Sequence, residues 1–258
     1  MNVFDLAGKR GLVTGGGSGI GRVVAETFID AGAQVAIADI VFPDAVAAEI
    51  SAQPIQCDVS DEQSVAAALK KARENLGGDL DFVILNAGIG DVGPAITEQP
   101  TALLERVTRI NYWGTVYGLK HAPAVMKDGG AIVSTSSMAA FINVPGSSAY
   151  SASKKAVVSL TEMSALELGS RGIRVNCVCP GYTETSMGSG DEGRQICEAF
   201  TALGRVATVD DMTGVFHFLV SDASRYMTGQ ALKVDGGWSC GPTPTLLAVI
   251  TGSSQAPG

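Results

Sequence analysis

The sequence predicts an α/β domain: one doubly wound sheet, mostly or wholly parallel, with helices on both faces. Three observations predict it. Short runs that are apolar throughout, instead of alternating, suit strands covered on both sides. They alternate with longer segments of helical period along most of the chain. A glycine-rich turn joins the first strand to the first helix, where a chain that reverses direction needs residues without side chains. No linker, charge block or repeat divides the 258 residues, so a single domain is expected over 1–240. The segment 241–258 is small, polar and Pro-containing, and is expected to be a disordered C-terminal tail.

The elements follow in order. GLVTG (11–15) is the first strand and runs into a helix over 19–31; QVAIAD (34–39) is the second strand. An Ala-rich helical stretch leads to PIQCDV (54–59) and then to a helix in SDEQSVAAALKKARENLG (60–77), where Ser60 and Gln63 have the spacing of a capping box. LDFVILNAG (80–88) is the next strand, followed by a long helical region over 98–126. AIVSTSS (131–137), a helix over 148–169, IRVNCVCPG (173–181), a helix over 209–221 and ALKVDGG (231–237) complete the repeat.

Composition excludes several function classes. With 46% hydrophobic and 17% charged residues, a chain this long can bury a large core without disulfides or metal. A net charge of −8 argues against nucleic acid and anionic membrane surfaces, which select basic patches. The N-terminus lacks the pattern of a signal peptide, and apolar runs such as VFHFLV (215–220) are too short to span a bilayer, so a cytoplasmic protein is expected. Five cysteines without CxxC spacing read as reduced thiols, Cys177 and Cys179 as buried strand residues. The two histidines stand far from any such cluster, and no metal site is expected.

TGGGSGIGR (14–22) places glycines where backbone N–H groups can approach a pyrophosphate at the positive end of a helix. Its spacing differs from G-x-G-x-x-G, so the turn alone is weak evidence. Asp39 strengthens it: it ends the second strand about 20 residues on, where a carboxylate holds a ribose diol. A 2′-phosphate there would meet like charge, and Ile40 and Val41 supply no cation. NAD is therefore expected over NADP, in a Rossmann-type domain.

With TGGGSGIG, Asn86-Ala87-Gly88, Asn111, Ser137, YSASK (150–154) and Pro180-Gly181 in this order, the chain resembles the short-chain dehydrogenase/reductase family from about residue 5 to Gly237. The resemblance implies that Gly15, Ser18, Gly19 and Ile20 form the pyrophosphate loop, that Asp39 binds the adenosine ribose, and that Asp58 and Val59 bracket the adenine. It implies that Asn86, Ala87 and Gly88 stabilise the sheet and line the cleft. Pro180, Gly181, Thr183 and Thr185 would hold the nicotinamide carboxamide. Two positions depart from the family pattern: Thr183, where Ile or Val is usual and a backbone contact is expected, and Leu85, where Asn often stands.

Hydride transfer to or from a carbonyl carbon needs an acid or base at the oxygen. Tyrosine, with a pKa of about 10, needs roughly 4 kcal/mol of help to act near neutrality. A lysine ammonium about 5 Å away supplies about 3 kcal/mol at an effective dielectric near 20. Tyr150 and Lys154 are one helical turn apart and share a face, while Lys155 does not. Ser137 is placed to hydrogen-bond the reacting oxygen, and strand alternation turns Ser136 away. Asn111 resembles the family residue whose backbone carbonyl holds a relay water. The substrate walls are expected in 88–96, 138–147 and 182–200, with Met138, Phe141, Val144, Tyr182 and Met187 giving apolar surface to a neutral secondary alcohol or ketone.

Two rivals stand beside this expectation: an NADPH-dependent 3-ketoacyl carrier reductase and a non-catalytic dinucleotide sensor. Asp39 and the acidic balance oppose the first; the complete set Asn111, Ser137, Tyr150 and Lys154 opposes the second. The resemblance also implies a homo-oligomer, a tetramer or dimer, in which Ala149, Ala152, Ala156 and Ser159 let a partner helix approach.

Overall fold

The computed structural model describes residues 2–90, 93–185, 187 and 190–252. Seven strands form one sheet: β1 (Arg10–Thr14), β2 (Gln34–Asp39), β3 (Gln53–Gln56), β4 (Leu80–Leu85), β5 (Met126–Thr135), β6 (Arg174–Pro180) and β7 (Ala231–Val234). Their order is β3-β2-β1-β4-β5-β6-β7, and every neighbouring pair is parallel. The described helices are α1 (Gly19–Asp30), α2 (Asp44–Ile50), α3 (Glu62–Asn75), α4 (Thr101–Val107), α5 (Gly114–His121), α6 (Ser148–Leu168), α7 (Gly190–Phe200), α8 (Asp210–Val220) and α9 (Pro244–Thr251). The expected doubly wound architecture is present, and the sheet is wholly parallel.

Alternation along each strand explains why runs with no polar residue are needed. Val13, Ile37, Phe82, Ile84 and Val133 face α1, α2 and α8, whereas Leu12, Ala36, Ala38, Val83 and Ile132 face α3 and α5. Cys177 and Cys179 lie on a third patch under Val157 of α6, fully buried as the alternation predicts. Phe82 lies across Gly11, where a Cβ would come within 2.0 Å of the ring, and packs edge-on against Phe28 at 5.0 Å. Full burial of each such ring stabilises the fold by about 1.5–3 kcal/mol.

Four local expectations change. The cap of α3 is Asp61, whose side chain accepts the Gln63 amide; Ser60 instead donates its hydroxyl to Asp58 Oδ1 at 2.7 Å. A residue with its own carboxylate partner is no longer free to cap a helix. The region 98–126 is not one helix: α4 and α5 are joined by a π-helical segment, Thr108–Trp113, and α5 runs into a 3-10 turn. The stretch expected only as a pocket wall contains α7. The tail is not structureless: over Pro244–Thr251 it forms α9, held at its start by the Thr243 hydroxyl donating to the Ala199 carbonyl at the end of α7. Residues 253–258 of that expectation lie outside the described residues.

Candidate active site

Strand order reverses between β1 and β4, so the crossover helices leave on opposite faces and a crevice opens at the carboxyl ends of these strands. The glycine turn lies there. Gly15 (φ 65°) and Gly19 (φ 52°) occupy the left-handed region, and a Cβ on Gly21 would stand 2.1 Å from the Gly15 carbonyl oxygen. Ser18 is the extended N-cap residue of α1 but makes no side-chain cap, which leaves the first-turn amides of the helix for a ligand. Ile20 is the second residue of α1 and packs on the core. This cradle, too narrow for side chains and lined by helix N–H groups, fits the pyrophosphate of a dinucleotide.

Asp39 ends β2 beside the cradle. Its Oδ2 accepts the Gly17 amide at 3.0 Å and its Oδ1 the Ile40 amide at 2.8 Å. The carboxylate therefore shapes the loop as well as charging its mouth. Asp58 accepts from Ser60 and its own amide donates to Ser64; Val59 packs where a side chain on Gly114 would otherwise stand, which fixes both at the end of β3. Asn86 ties three strands: its amide donates to Thr14 Oγ1, its Nδ2 to the Gly15 carbonyl, and its Oδ1 accepts the Thr135 hydroxyl at 3.0 Å. Ala87 also donates its amide to Thr14 Oγ1. Gly88 is needed for space, since a Cβ would lie 3.3 Å from Lys154 Nζ and 3.1 Å from Asn111 Oδ1.

Ser137, Tyr150 and Lys154 come together. Ser137 follows β5 in extended conformation, and its hydroxyl accepts the Ala139 amide and lies on the side of the Tyr150 hydroxyl. Ser136 is turned away as alternation predicts, donating to the Lys154 carbonyl at 2.7 Å. Lys154, 5% exposed, donates to the Thr135 carbonyl at 2.9 Å, with Nζ 5.6 Å from the centre of the Tyr150 ring. Burial without a carboxylate partner lowers its pKa to about 8. Tyr150 departs from the expected acidification: desolvation raises its phenol above the ordinary value, and the nearby Ser137 hydroxyl offsets only part of that.

Asn111 sits in the π-helical segment and is 1% exposed. Its side chain clamps the loop after β4, accepting the Ile89 amide and donating to the Ile89 carbonyl, each at 2.9 Å; it also donates to Ser153 of α6. Its backbone carbonyl already accepts the Thr115 hydroxyl at 2.9 Å. Pro180 ends β6, and Gly181 lies against Asp235, where a Cβ would come within 2.8 Å of Cα. Thr183 bridges to Ala207 and hydrogen-bonds the Gly181 carbonyl, and Thr185 lies over Gly19, joining this segment to the glycine turn.

Of the expected apolar walls, Phe141, Val144 and Met187 are half exposed, and Met187 covers Gly90. Met138 is buried in the core and is no wall. Asp91, Val92, Ser186, Gly188 and Ser189 of the expected walls lie outside the described residues. Sequence reasoning missed Lys233 of β7, whose Nζ stands 4.5 Å above the Phe141 ring, and the supporting hydroxyls of Thr14 and Thr135. A polar residue closing an apolar strand was the available signal for the two threonines. No signal marked Lys233, because its contact with Phe141 joins residues remote in sequence.

Comparison with known proteins agrees with this geometry. Residues 15–239 match the family model described as "Enoyl-(Acyl carrier protein) reductase". The chain is 39% identical over 254 residues to momilactone A synthase of Oryza sativa subsp. japonica, covering 91% of each chain. It is also 39% identical over 240 residues to the mitochondrial borneol dehydrogenase of Lavandula x intermedia, covering 91% of this chain and 92% of that one. A crystal structure of a short-chain type dehydrogenase/reductase from Mycobacterium marinum superposes with a TM-score of 0.88 at 38% identity, over 93% of this chain and 99% of that one. Among the described residues no helix is long and apolar enough to cross a membrane. A parallel seven-stranded sheet, a dinucleotide cradle at its switch point and similarity along nine-tenths of the length together place this chain in the short-chain dehydrogenase/reductase family, oxidoreductases that bind a nicotinamide dinucleotide.

Proposed function

We propose that the protein is an NAD-dependent dehydrogenase that interconverts a neutral, fairly apolar secondary alcohol and its ketone, with Tyr150 as general acid and base. The observation that carries this is Tyr150 one helical turn before the buried Lys154 ammonium, whose Nζ stands 5.6 Å from the centre of the Tyr150 ring, at the mouth of the cradle closed by Asp39. Gly15, Ser18, Gly19, Ile20, Asp39, Asp58, Val59, Asn86, Ala87, Gly88, Tyr150, Lys154, Pro180, Gly181, Thr183 and Thr185 would hold NAD, which would supply a hydride acceptor when bound. The carboxylate of Asp39 favours a free ribose diol over a 2′-phosphate.

The chain's own residues handle the proton and the charge. The Ser137 hydroxyl can donate to the substrate oxygen as negative charge develops on it. The Tyr150 hydroxyl, held protonated by its desolvated setting, is ready to protonate that oxygen during reduction. Oxidation needs the phenolate, so its rate should climb as pH rises through the alkaline range. Lys154 is a cation near neutral pH, and there its charge favours negative charge developing on the Tyr150 oxygen during proton transfer. Asn111 fixes the loop that carries Ile89 and, through Ser153, the helix that carries Tyr150. Half-exposed Phe141, Val144 and Met187 favour an apolar substrate skeleton. Five free cysteines favour a reducing, cytoplasmic setting.

The test is a screen of secondary alcohols and ketones with NAD(H) and NADP(H) in parallel, applied to the wild type and to Tyr150→Phe. The wild type should turn over with NAD(H). Tyr150→Phe should lose about 10²–10⁴-fold in kcat while NADH binding, followed by fluorescence, stays close to wild type. Near-normal turnover by Tyr150→Phe, or a preference for NADP(H), would overturn the reading.

A further inference from the structure

Two segments bear on the start of α6: residues 93–99, in the connection after β4, and residues 138–147, which join β5 to α6. They meet at Gly146. Its carbonyl accepts the Gly93 amide at 3.0 Å and Gln99 Nε2 at 2.7 Å. Gln99 Nε2 also donates to the Pro94 carbonyl at 3.1 Å. The backbones touch here, since Gly146 has φ 87° and a Cβ on it would lie 2.3 Å from the Gly93 carbonyl oxygen. Gln99 is 8% exposed, and neither the dinucleotide cradle nor the Ser137, Tyr150 and Lys154 group uses it.

Chemistry fixes which way this amide points. Both neighbours are carbonyl oxygens, so only the NH₂ end can face them. The other end, Oε1, is buried without a partner, a desolvation cost that the two donated bonds must offset. Gly146 stands two residues before α6, whose first turn carries Tyr150. We propose that Gln99 is a positioning residue that latches the two loops into one wall, and so fixes the start of α6 and the Tyr150 hydroxyl against the substrate. This rests on the reading of Tyr150 as the acid and base.

Gln99→Met keeps the length and removes both donors. It should raise the KM for the alcohol about tenfold, the size expected for a lost buried hydrogen bond, with NADH affinity unchanged. In the cofactor-free protein it should speed amide hydrogen exchange in 93–99 and 142–149 and leave the sheet unaltered. Gln99→Glu is a second variant, read at two pH values at both of which circular dichroism shows it folded. An ionised carboxyl would face two carbonyls, and only its protonated form can donate, so kcat/KM of this variant should fall with rising pH where the wild type does not. Wild-type exchange in both loops of Gln99→Met overturns the latch. Faster exchange with unchanged KM overturns the positioning role, as does a Gln99→Glu pH profile like that of the wild type. Failure of the dehydrogenase reading would show separately, as an inert wild type or a fully active Tyr150→Phe, and the exchange measurement does not depend on it.

Discussion

At the scale of single residues, Lys154 carries the sharpest physical signature. It is buried, donates to the Thr135 carbonyl, and its pKa falls to about 8 from 10.5. Below pH 8 folded and unfolded chains both carry the charge, and folding bears its full desolvation cost. Between pH 8 and 10.5 the folded protein sheds the proton while the unfolded chain keeps it, so the unfolded state binds more protons and stability rises with pH. The whole effect is about 3 kcal/mol. Cys57 and Cys197, raised by burial to about 11, act in the opposite sense above pH 9. The wild type must therefore be compared with Lys154→Met, in which the cysteine contributions cancel. In urea unfolding, Lys154→Met should be the more stable protein at pH 7, and the gap should narrow by pH 10. A gap that does not move with pH would refute this account of Lys154. Both Tyr150 and Lys154 were legible in YSASK, but the direction of the Tyr150 shift was not, because desolvation depends on residues that fold over the site from other elements.

At the scale of elements, the join between β1 and α1 was legible because glycine is conspicuous, and the structure adds the reason at each position. Gly21 has no room for a methyl group, with the Gly15 carbonyl oxygen 2.1 Å and Asn86 Nδ2 2.6 Å from a Cβ. Gly21→Ala should push α1 off β1, costing about 1–3 kcal/mol in urea unfolding and most of the NADH affinity. Gly214 lies in α8 with nothing within 4 Å of a Cβ, so Gly214→Ala should instead stabilise the protein by about 1 kcal/mol and leave binding alone. Equal effects from the two substitutions would contradict the packing argument. The π-helical segment Thr108–Trp113 was not legible. Helical periodicity continues through it, and the extra residue is accommodated where the Asn111 side chain turns inward to Ile89 and Ser153. The α7 segment was missed because GSGDEG weakens helix propensity at its start.

At the scale of the whole molecule, the outer face of α6 bears on assembly. Ala149, expected to admit a partner helix, is buried within its own chain. Ala152 and Ser159 are exposed, Ala156 is half-buried, and Met163 and Leu166 continue this side of the helix at 52% and 79% exposure. We propose that a second copy covers this face, as expected of a homo-oligomer. Leu166→Glu should then lower the sedimentation coefficient toward that of a monomer without changing the monomer's fold by circular dichroism. A wild type that already sediments as a monomer would end the proposal.

The sequence by itself determined the strands, the glycine turn, Asp39 at the end of the second strand and the order of Asn111, Ser137, Tyr150 and Lys154. These are written in local patterns: apolar runs, small residues at turns and spacings of one helical turn. Only the tertiary structure decided that Asp39 also holds the Gly17 amide, that Lys154 donates to the Thr135 carbonyl, that Tyr150 stays protonated, and that Gln99 joins two loops at Gly146. Each of these depends on atoms from separate elements brought within hydrogen-bond distance and shielded from water. Distance and desolvation come into being only when the chain closes on itself.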